Sequence, residues 1–186
     1  ITQTPDYIHP ATSSTLQYRL GLSENCMAYD VNLGCSGYVY GLHLAASKLQ
    51  SGYLKKVLLL VGDTVDGLSK IPTLNDLLLG DCGSATLIEY EEGAKGFRFD
   101  LQTIGSGFKA LGATTGLRYA YVGYPTFDPA IHMDGLAVFT FSITKVPKLF
   151  KSFLETFNML IDDYDTVLLH QANKSMLDVI TKKIKV

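Results

Sequence analysis

Several things that would fix the class of this chain at once are missing from it. Its apolar runs are short, Val57–Val61 being among the longest, against the roughly 20 residues a helix needs to cross a bilayer. No membrane association is expected. Cysteine is scarce. Cys26, Cys35 and Cys82 make an odd three, with no C-x-x-C pair and no zinc-ligand spacing. That pattern supports neither a disulfide framework nor a metal site, and free thiols suit a reducing compartment, so a cytoplasmic location is expected. Charge of one sign is lacking too, with 16 basic residues against 18 acidic ones and a net charge of -2. The basic run Lys182-Lys183-Ile184-Lys185 reads as the solvated face of a terminal helix, so nucleic acid is not an expected partner. Tandem repeats and low-complexity tracts are absent. There is no leader pattern at the start, and the sequence opens on Ile1 rather than Met, which leads us to expect an internal piece of a longer chain.

What is present is an ordinary globular mixture. In 186 residues, 47% are hydrophobic and 18% charged, enough to close a substantial core and with no signature of disorder. Met27–Asn32 alternates like a strand and ends in the small-residue turn Leu33-Gly34-Cys35-Ser36-Gly37. Tyr38–Leu49 follows with helical spacing and stops at Ser51-Gly52. Val57–Val61 then reads as a strand buried on both faces. Strand, helix, strand in that order predicts a parallel sheet covered by helices, an α/β architecture.

Further along, the glycine-punctuated stretch from Leu77 leads into a strand at Thr86–Tyr90. The segment Glu91–Gly96 is the best place for a boundary between two halves, 1–93 and 94–186. Phe97–Ile104 alternates like a strand, and Gly105–Asp128 has the composition of an irregular excursion. Asp134 to about Met159 predicts a long helix with Phe139, Ile143, Val146, Phe150, Phe153 and Phe157 along one core-facing stripe. Pro147 is expected to kink or divide it. Asp165–Leu169 reads as a second buried strand running into His170-Gln171-Ala172-Asn173, where Asn173 is placed to cap a helix over Lys174–Lys185.

Two positions carry candidate chemistry. Cys35 sits between a strand and a helix, where unsatisfied N–H groups and the helix dipole favour thiolate over thiol. Its flanking glycines let a carbonyl approach the backbone, and its own N–H can face a developing oxyanion. The same residues also suit a small side chain filling a tight turn. His170 ends a strand in a sheet where the crevice forms at carboxyl ends; a lone His there is also commonly a structural hydrogen-bonder. The pairing of the two, one from each half, strengthens both. Cys26 and Cys82 read as inert packing residues. His43 falls within the helix after Cys35 as a packing or surface residue, and His9 and His132 lack a comparable context. Asp63 and Asp81, beside glycines at strand ends, suit turn chemistry better than proton transfer.

Four segments together resemble 3-ketoacyl-acyl-carrier-protein synthase III, a thiolase-fold condensing enzyme. Asp30-Val31-Asn32-Leu33-Gly34-Cys35-Ser36-Gly37-Tyr38 is similar to its nucleophile segment. Leu79-Gly80-Asp81-Cys82-Gly83-Ser84-Ala85 is similar to its GDGAGA-type stretch. Met133-Asp134-Gly135-Leu136-Ala137-Val138-Phe139 resembles its M-x-G-x-x-V-F segment, and His170-Gln171-Ala172-Asn173 its HQAN motif. All four stand in family order along the whole chain.

The resemblance implies a five-layered αβαβα fold with mixed, largely parallel sheets, incomplete in this chain. Residues 1–93 would be the later part of the N-terminal half and carry the nucleophile. Residues 94–186 would be the earlier part of the C-terminal half and carry the catalytic His. It also implies the chemistry. Cys35 takes an acyl group from an acyl-CoA. A malonyl group on acyl carrier protein loses carbon dioxide, with His170 stabilising the enolate, and a 3-ketoacyl-acyl-carrier protein forms in fatty acid synthesis. Met133, Gly135 and Phe139 would line the acyl tunnel. Gln171, Ala172, Asn173, Lys174 and Ser175 would contact carrier protein or CoA. No cofactor or metal is implied, and a homodimer is.

The departures from the family pattern are definite. The catalytic Asn of a GN-x-S motif does not occur before Val186, nor does the late glycine loop of the oxyanion hole. The Arg that follows HQAN by one residue is replaced by Ser175, with Lys174 beside it. The chain alone is therefore expected to be inactive. Two other readings stand beside condensation: transfer of the acyl group to an alcohol or amine in secondary metabolism, and a non-catalytic fragment.

Overall fold

The computed structural model describes residues 1–64, 79–112 and 132–186. Tertiary contacts divide the chain into two compact units, Ile1–Val65 with Gly80–Arg98 and Asp66–Leu79 with Phe99–Val186.

The first unit is built on one helix and one hairpin-like ladder. After the short helix α1 (Thr12–Arg19), helix α2 spans Gly37–Gln50, as its apolar spacing predicts. Strands β1 (Lys56–Asp63) and β2 (Cys82–Glu89) pair antiparallel, with Gly62 opposite Gly83 and Asp63 opposite Cys82. Gly37, Gly41 and Ala45 recur every fourth residue and are buried, which strips bulk from the face of α2 turned to the sheet. A Cβ on Gly41 would lie 2.7 Å from Leu59 Cδ1, so the glycine is what lets the helix approach that strand. Ala45, Leu49, Leu59 and Ile88 form the resulting core, and each buried aliphatic side chain of the Leu or Ile size stabilises it by roughly 1.5–3 kcal/mol.

The strand order differs from the expected parallel β-α-β unit. Both ladders among the described residues are antiparallel, and Met27–Asn32 belongs to neither. The reason lies at the start of the chain. The Ile1 amino group donates to the Leu60 carbonyl (2.7 Å), and the Gly62 N–H donates to the Ile1 carbonyl (3.1 Å). Donating to one residue and accepting from the second one after it is the parallel pattern. Thr2 N–H then donates to the Val31 carbonyl (3.2 Å). Ile1–Thr2 thus occupies the place beside β1 that Met27–Asn32 would have filled.

Among the described residues, α2 packs on one face of Val57–Val61. Leu59 is 8% exposed beneath α2, whereas its neighbour Leu58 is 41% exposed and Leu87 on β2 is 60% exposed. The continuous apolar run signalled burial on both faces; within this unit one helix covers one of them.

The second unit centres on two helices. The two-residue strands β3 (Leu111–Gly112) and β4 (His132–Met133) pair antiparallel, and Asp134 N–H extends the pairing to the Ala110 carbonyl (2.7 Å). Asp134 then caps helix α3 (Gly135–Phe157), its side chain accepting from Ala137 N–H (2.9 Å). A carboxylate in that place also meets the positive end of the helix dipole. The helix runs through Pro147 undivided and ends at Asn158 in the left-handed conformation, which Asn tolerates better than most residues. Its Phe stripe is half-buried, with the Phe153 and Phe157 rings tilted at 59° to each other and their centroids 4.9 Å apart.

Helix α4 (Lys174–Ile184) packs against α3 and buries Met176 and Ile180. Asn173 caps it as predicted, accepting from Met176 N–H at 2.9 Å.

Two predicted strands are not formed. Phe97–Ile104 and Asp165–Leu169 have no ladder partner among the described residues. Val167 and Leu169 are half-buried while Leu168 is 90% exposed. The alternation of a strand is present; the neighbouring strand that would complete it is not among these residues. Of the expected excursion at Gly105–Asp128, residues 113–128 lie outside the described residues, as do Leu77 and Leu78 of the glycine-rich approach.

Candidate active site

Cys35 lies in the turn that opens α2. Gly37 N–H closes that turn onto the Gly34 carbonyl at 2.7 Å, and Tyr40 N–H bonds the Ser36 carbonyl at 3.1 Å. Ser36 is the N-cap residue, yet its side chain makes no capping bond. The first N–H groups of a helix have no partner inside it. The Cys35 thiol is exposed, so it stands at the positive end of a 14-residue helix whose first amides are not taken by the cap side chain.

The N-terminal segment closes over the same turn. A Cβ on Gly37 would come within 2.6 Å of Ile1 Cγ2, and one on Gly34 would run into the Gln3 side-chain amide. Gly37 is therefore needed for the close approach of Ile1, while at Gly34 the end of the Gln3 side chain fills the space a Cβ would take. Asp63 holds that segment, accepting from Thr2 Oγ1 (2.9 Å), Gln3 N–H (2.6 Å), Thr4 N–H (3.2 Å) and Thr4 Oγ1 (3.2 Å). Sequence reasoning assigned Asp63 to a turn and missed these bonds, because the partners lie about 60 positions away. From α2 itself, Tyr38 reaches the sheet by a 3.2 Å hydroxyl contact with Thr86 Oγ1.

Cys26 and Cys82 are not packing residues: both thiols are exposed, like that of Cys35. Cys82 begins β2, at the end of a ladder rather than in its core, and Cys26 sits in an irregular segment before Met27. Cys82 and Cys26 also line an open cleft of about 1060 Å³ under the uncovered face of β1, together with Leu16, Leu20, Leu58 and Leu60. Cys35 is not part of its wall.

In the second unit, His170 is exposed at the end of the irregular run 166–170. Its carbonyl accepts from Ala172 N–H (3.0 Å) and Gln171 Nε2 bonds the Leu169 carbonyl (3.1 Å), which folds the chain tightly into the α4 cap. Gln171, Lys174 and Ser175 face solvent, while Ala172 and Asn173 are half-buried. Lys174 pairs with Asp178 one turn on, at 2.8 Å. Met133 pairs with Leu111 in the short ladder, Gly135 is the first residue of α3 with open space around it, and Phe139 is half-buried one turn later. These three are brought together at the β4–α3 junction; Cys35 and His170 belong to different units. No helix among the described residues is long and apolar enough to cross a membrane.

The pattern of the family described as 3-oxoacyl-[acyl-carrier-protein (ACP)] synthase III matches residues 29–105, which include the Cys35 turn and β2. The chain is 32% identical over 189 residues to beta-ketoacyl-[acyl-carrier-protein] synthase III of Streptococcus agalactiae, covering 100% of this chain and 57% of that protein. A crystal structure of a 3-oxoacyl-(acyl-carrier-protein) synthase III superposes with a TM-score of 0.85 at 35% identity, over 100% of this chain and 59% of the other. The corresponding synthase III of Thermus thermophilus gives 0.89 at 26% identity, over 98% and 57%. The chain thus spans a little over half the length of the relatives it matches, and its fold is the thiolase-like α/β fold of those synthases.

Proposed function

We propose, from the likeness to 3-oxoacyl-[acyl-carrier-protein] synthase III proteins, that the chain belongs to that family and that the whole protein is an acyltransferase making 3-ketoacyl-acyl-carrier protein by decarboxylating condensation. The observation that carries this reading is the exposed Cys35 thiol on the turn opening α2, where the Ser36 side chain makes no capping bond.

The sulfur of Cys35 attacks the thioester carbonyl of an acyl-CoA. A carbon–sulfur bond forms to Cys35, the bond to CoA breaks, and the thiol proton leaves with CoA. Main-chain N–H groups in the turn that opens α2 donate to the oxyanion of that step. A malonyl group on acyl carrier protein then loses carbon dioxide, and its electron pair becomes an enolate whose thioester oxygen needs hydrogen-bond donors. His170 supplies one; the family's second donor, an Asn in a GN-x-S motif, does not occur between His170 and Val186. The enolate carbon attacks the acyl-Cys35 carbonyl and releases the sulfur. This route calls for no metal or redox cofactor. Met133, Gly135 and Phe139 line the acyl tunnel. Carrier or CoA contact falls to Gln171, Lys174 and Ser175 at the surface of the turn that Ala172 and Asn173 shape. The whole protein acts in the cytoplasm as a homodimer.

A second reading, transfer of the acyl group to an alcohol or amine, is favoured by one observation. Where the family carries Arg after HQAN, this chain has Ser175, and the adjacent Lys174 is already engaged by Asp178. Incubating the whole protein with acyl-CoA and malonyl-acyl-carrier protein separates the two. Carbon dioxide release with a 3-ketoacyl thioester supports condensation; absence of both, with ester or amide formed from an added alcohol or amine, replaces it with the second reading.

A further inference from the structure

Asp63 lies at the end of β1, away from the wall of residues that carries the proposed chemistry, yet its bonds lead to it. One carboxylate oxygen, Oδ1, accepts from Thr2 Oγ1, Gln3 N–H, Thr4 N–H and Thr4 Oγ1. Thr4 N–H also bonds Thr2 Oγ1 at 3.0 Å, and Thr64 N–H donates to Thr4 Oγ1 at 2.9 Å. Three consecutive residues, Thr2 to Thr4, are thereby gathered around one acceptor by four donors. Hydrogen bonds to a charged group are the stronger kind, and several on one oxygen fix the segment in direction as well as position.

That segment then meets the turn. Ile1 and Gln3 are the side chains that a Cβ on Gly37 and on Gly34 would strike. The two glycines bracket Cys35 in the sequence, so its turn meets Gln3, whose N–H Asp63 accepts, on the Gly34 side and Ile1 on the Gly37 side. The sheet side is fixed independently, by Ile1 bonding Leu60 and Gly62. Without the Asp63 anchor, Gln3 loses its bond to β1, and Thr4 keeps the single bond from Thr64 N–H just past the end of that strand.

We propose that Asp63 is a positioning residue for the nucleophile: it sets the Cys35 turn through Thr2–Thr4, Gln3 above all, without touching substrate. This rests on the reading of Cys35 as nucleophile. Misplacing a reacting group by about 1 Å costs up to about 10²-fold in rate, so loss of the anchor should appear in the reactivity of Cys35 even where the fold survives.

The test is made on the whole protein with three forms: parental, Asp63→Ala, and Asp63→Asn, which keeps an acceptor oxygen. Acylation of Cys35 by acyl-CoA is followed by quenched-flow mass spectrometry, well below the melting temperature of each form. The expected result is a fall of about tenfold to 10²-fold for Asp63→Ala, with most of the rate recovered in Asp63→Asn. The Michaelis constant for acyl-CoA should stay within about twofold, since Asp63 makes no substrate contact. Should Asp63→Ala fail to fold, Thr2→Val with Thr4→Val removes both hydroxyl donors and is expected to slow acylation in the same sense. A merely structural role predicts a lowered melting temperature with an unchanged acylation rate, and that result overturns the proposal. Acylation of the parental protein elsewhere than Cys35 overturns the nucleophile reading itself, a failure visible before any variant is compared.

Discussion

Lys183 on α4 donates from Nζ to the main-chain carbonyl of Ile143 on α3 at 2.7 Å. Ile143 is four residues before Pro147, so its carbonyl is the one that the proline leaves without a helical N–H. A cation from the neighbouring helix fills the gap. This gives a physical reason why α3 continues through Pro147 and why α4, with the His170–Asn173 turn ahead of it, docks where it does.

Lys183→Met keeps the aliphatic stem and removes the donor. It should destabilise the protein by about 1 kcal/mol, the usual worth of one such bond. In a Pro147→Ala background the alanine N–H takes the Ile143 carbonyl, and the same Lys183→Met change should cost much less. Urea unfolding of the four forms measures the difference; equal costs in both backgrounds would show that Lys183 and Pro147 are not coupled.

The second prediction concerns the facing glycines of the first ladder. A Cβ on Gly62 would lie 2.9 Å from the Cys82 carbonyl oxygen and 3.0 Å from Gly83 Cα. Both atoms are backbone and cannot rotate aside. Gly62→Ala should therefore cost about 1–3 kcal/mol in urea unfolding. Gly80→Ala, where nothing lies within 4 Å, serves as the control and should leave stability close to the parental value.

Asp30 supplies the third. Its two carboxylate oxygens accept from Thr12 N–H (2.7 Å) and Ser13 N–H (2.8 Å) at the start of α1, a capping role played from outside the helix. Burial alone would raise its pKa, but the bonds from Ser13 and Thr12 outweigh that and hold the carboxyl below its usual value. A folded value below the unfolded one stabilises the folded state fully at pH above the unfolded value, and the gain is lost as pH falls through the folded value. Asp30→Asn, which keeps an acceptor but not the charge, should therefore be the less stable form at neutral pH by up to about 1 kcal/mol. The gap should close in acid below about pH 4, near the ordinary Asp value. Thermal melts of the two proteins from pH 7 to pH 3 check this, and a gap that persists or widens in acid would remove the charge from the explanation.

The fourth separates the two catalytic candidates. His170→Ala in the whole protein should still take an acyl group onto Cys35, because that step draws on the N-terminus of α2. It should lose decarboxylation of the malonyl thioester by about 10²–10³-fold, the usual effect of deleting one donor to a developing oxyanion. Parallel assays of acyl-enzyme formation and carbon dioxide release measure both steps. Decarboxylation at the parental rate would take this role from His170.

Helices α2, α3 and α4 were legible in the sequence, and the Asn173 cap was legible to the residue. Each is specified by local spacing and by a side chain acting within its own turn. Strands fared differently. Met27–Asn32, Phe97–Ile104 and Asp165–Leu169 carry the alternation of strands, but a strand exists only with a partner, and partners are set by residues far away. Ile1 stands beside β1 where Met27–Asn32 was expected, and no periodicity in either segment announces it. Helix α1 went unread because its residues Thr12–Arg19 have little apolar spacing; its N-terminus is satisfied by Asp30, 17 and 18 positions on. Cys35 and His170 were legible as candidates because each combines a reactive side chain with an element junction. The support given by Asp63 was not, since an acidic residue beside glycine at a strand end looks the same whether or not distant threonines converge on it. The exposure of Cys26 and Cys82 was equally hidden, because it depends on which sheet face is covered.

The most direct measurement is the site of acylation. All three thiols are exposed, so accessibility alone does not choose among them, and the account rests on the environment of one. The whole protein is incubated with a slight excess of acyl-CoA, quenched in acid, digested and mapped by mass spectrometry, beside a Cys35→Ser form. The account predicts one acyl group per chain on the peptide bearing Cys35, none on those bearing Cys26 or Cys82, and no condensation product from Cys35→Ser. An acyl group carried by Cys26 or Cys82, or continued 3-ketoacyl formation by Cys35→Ser, would contradict it.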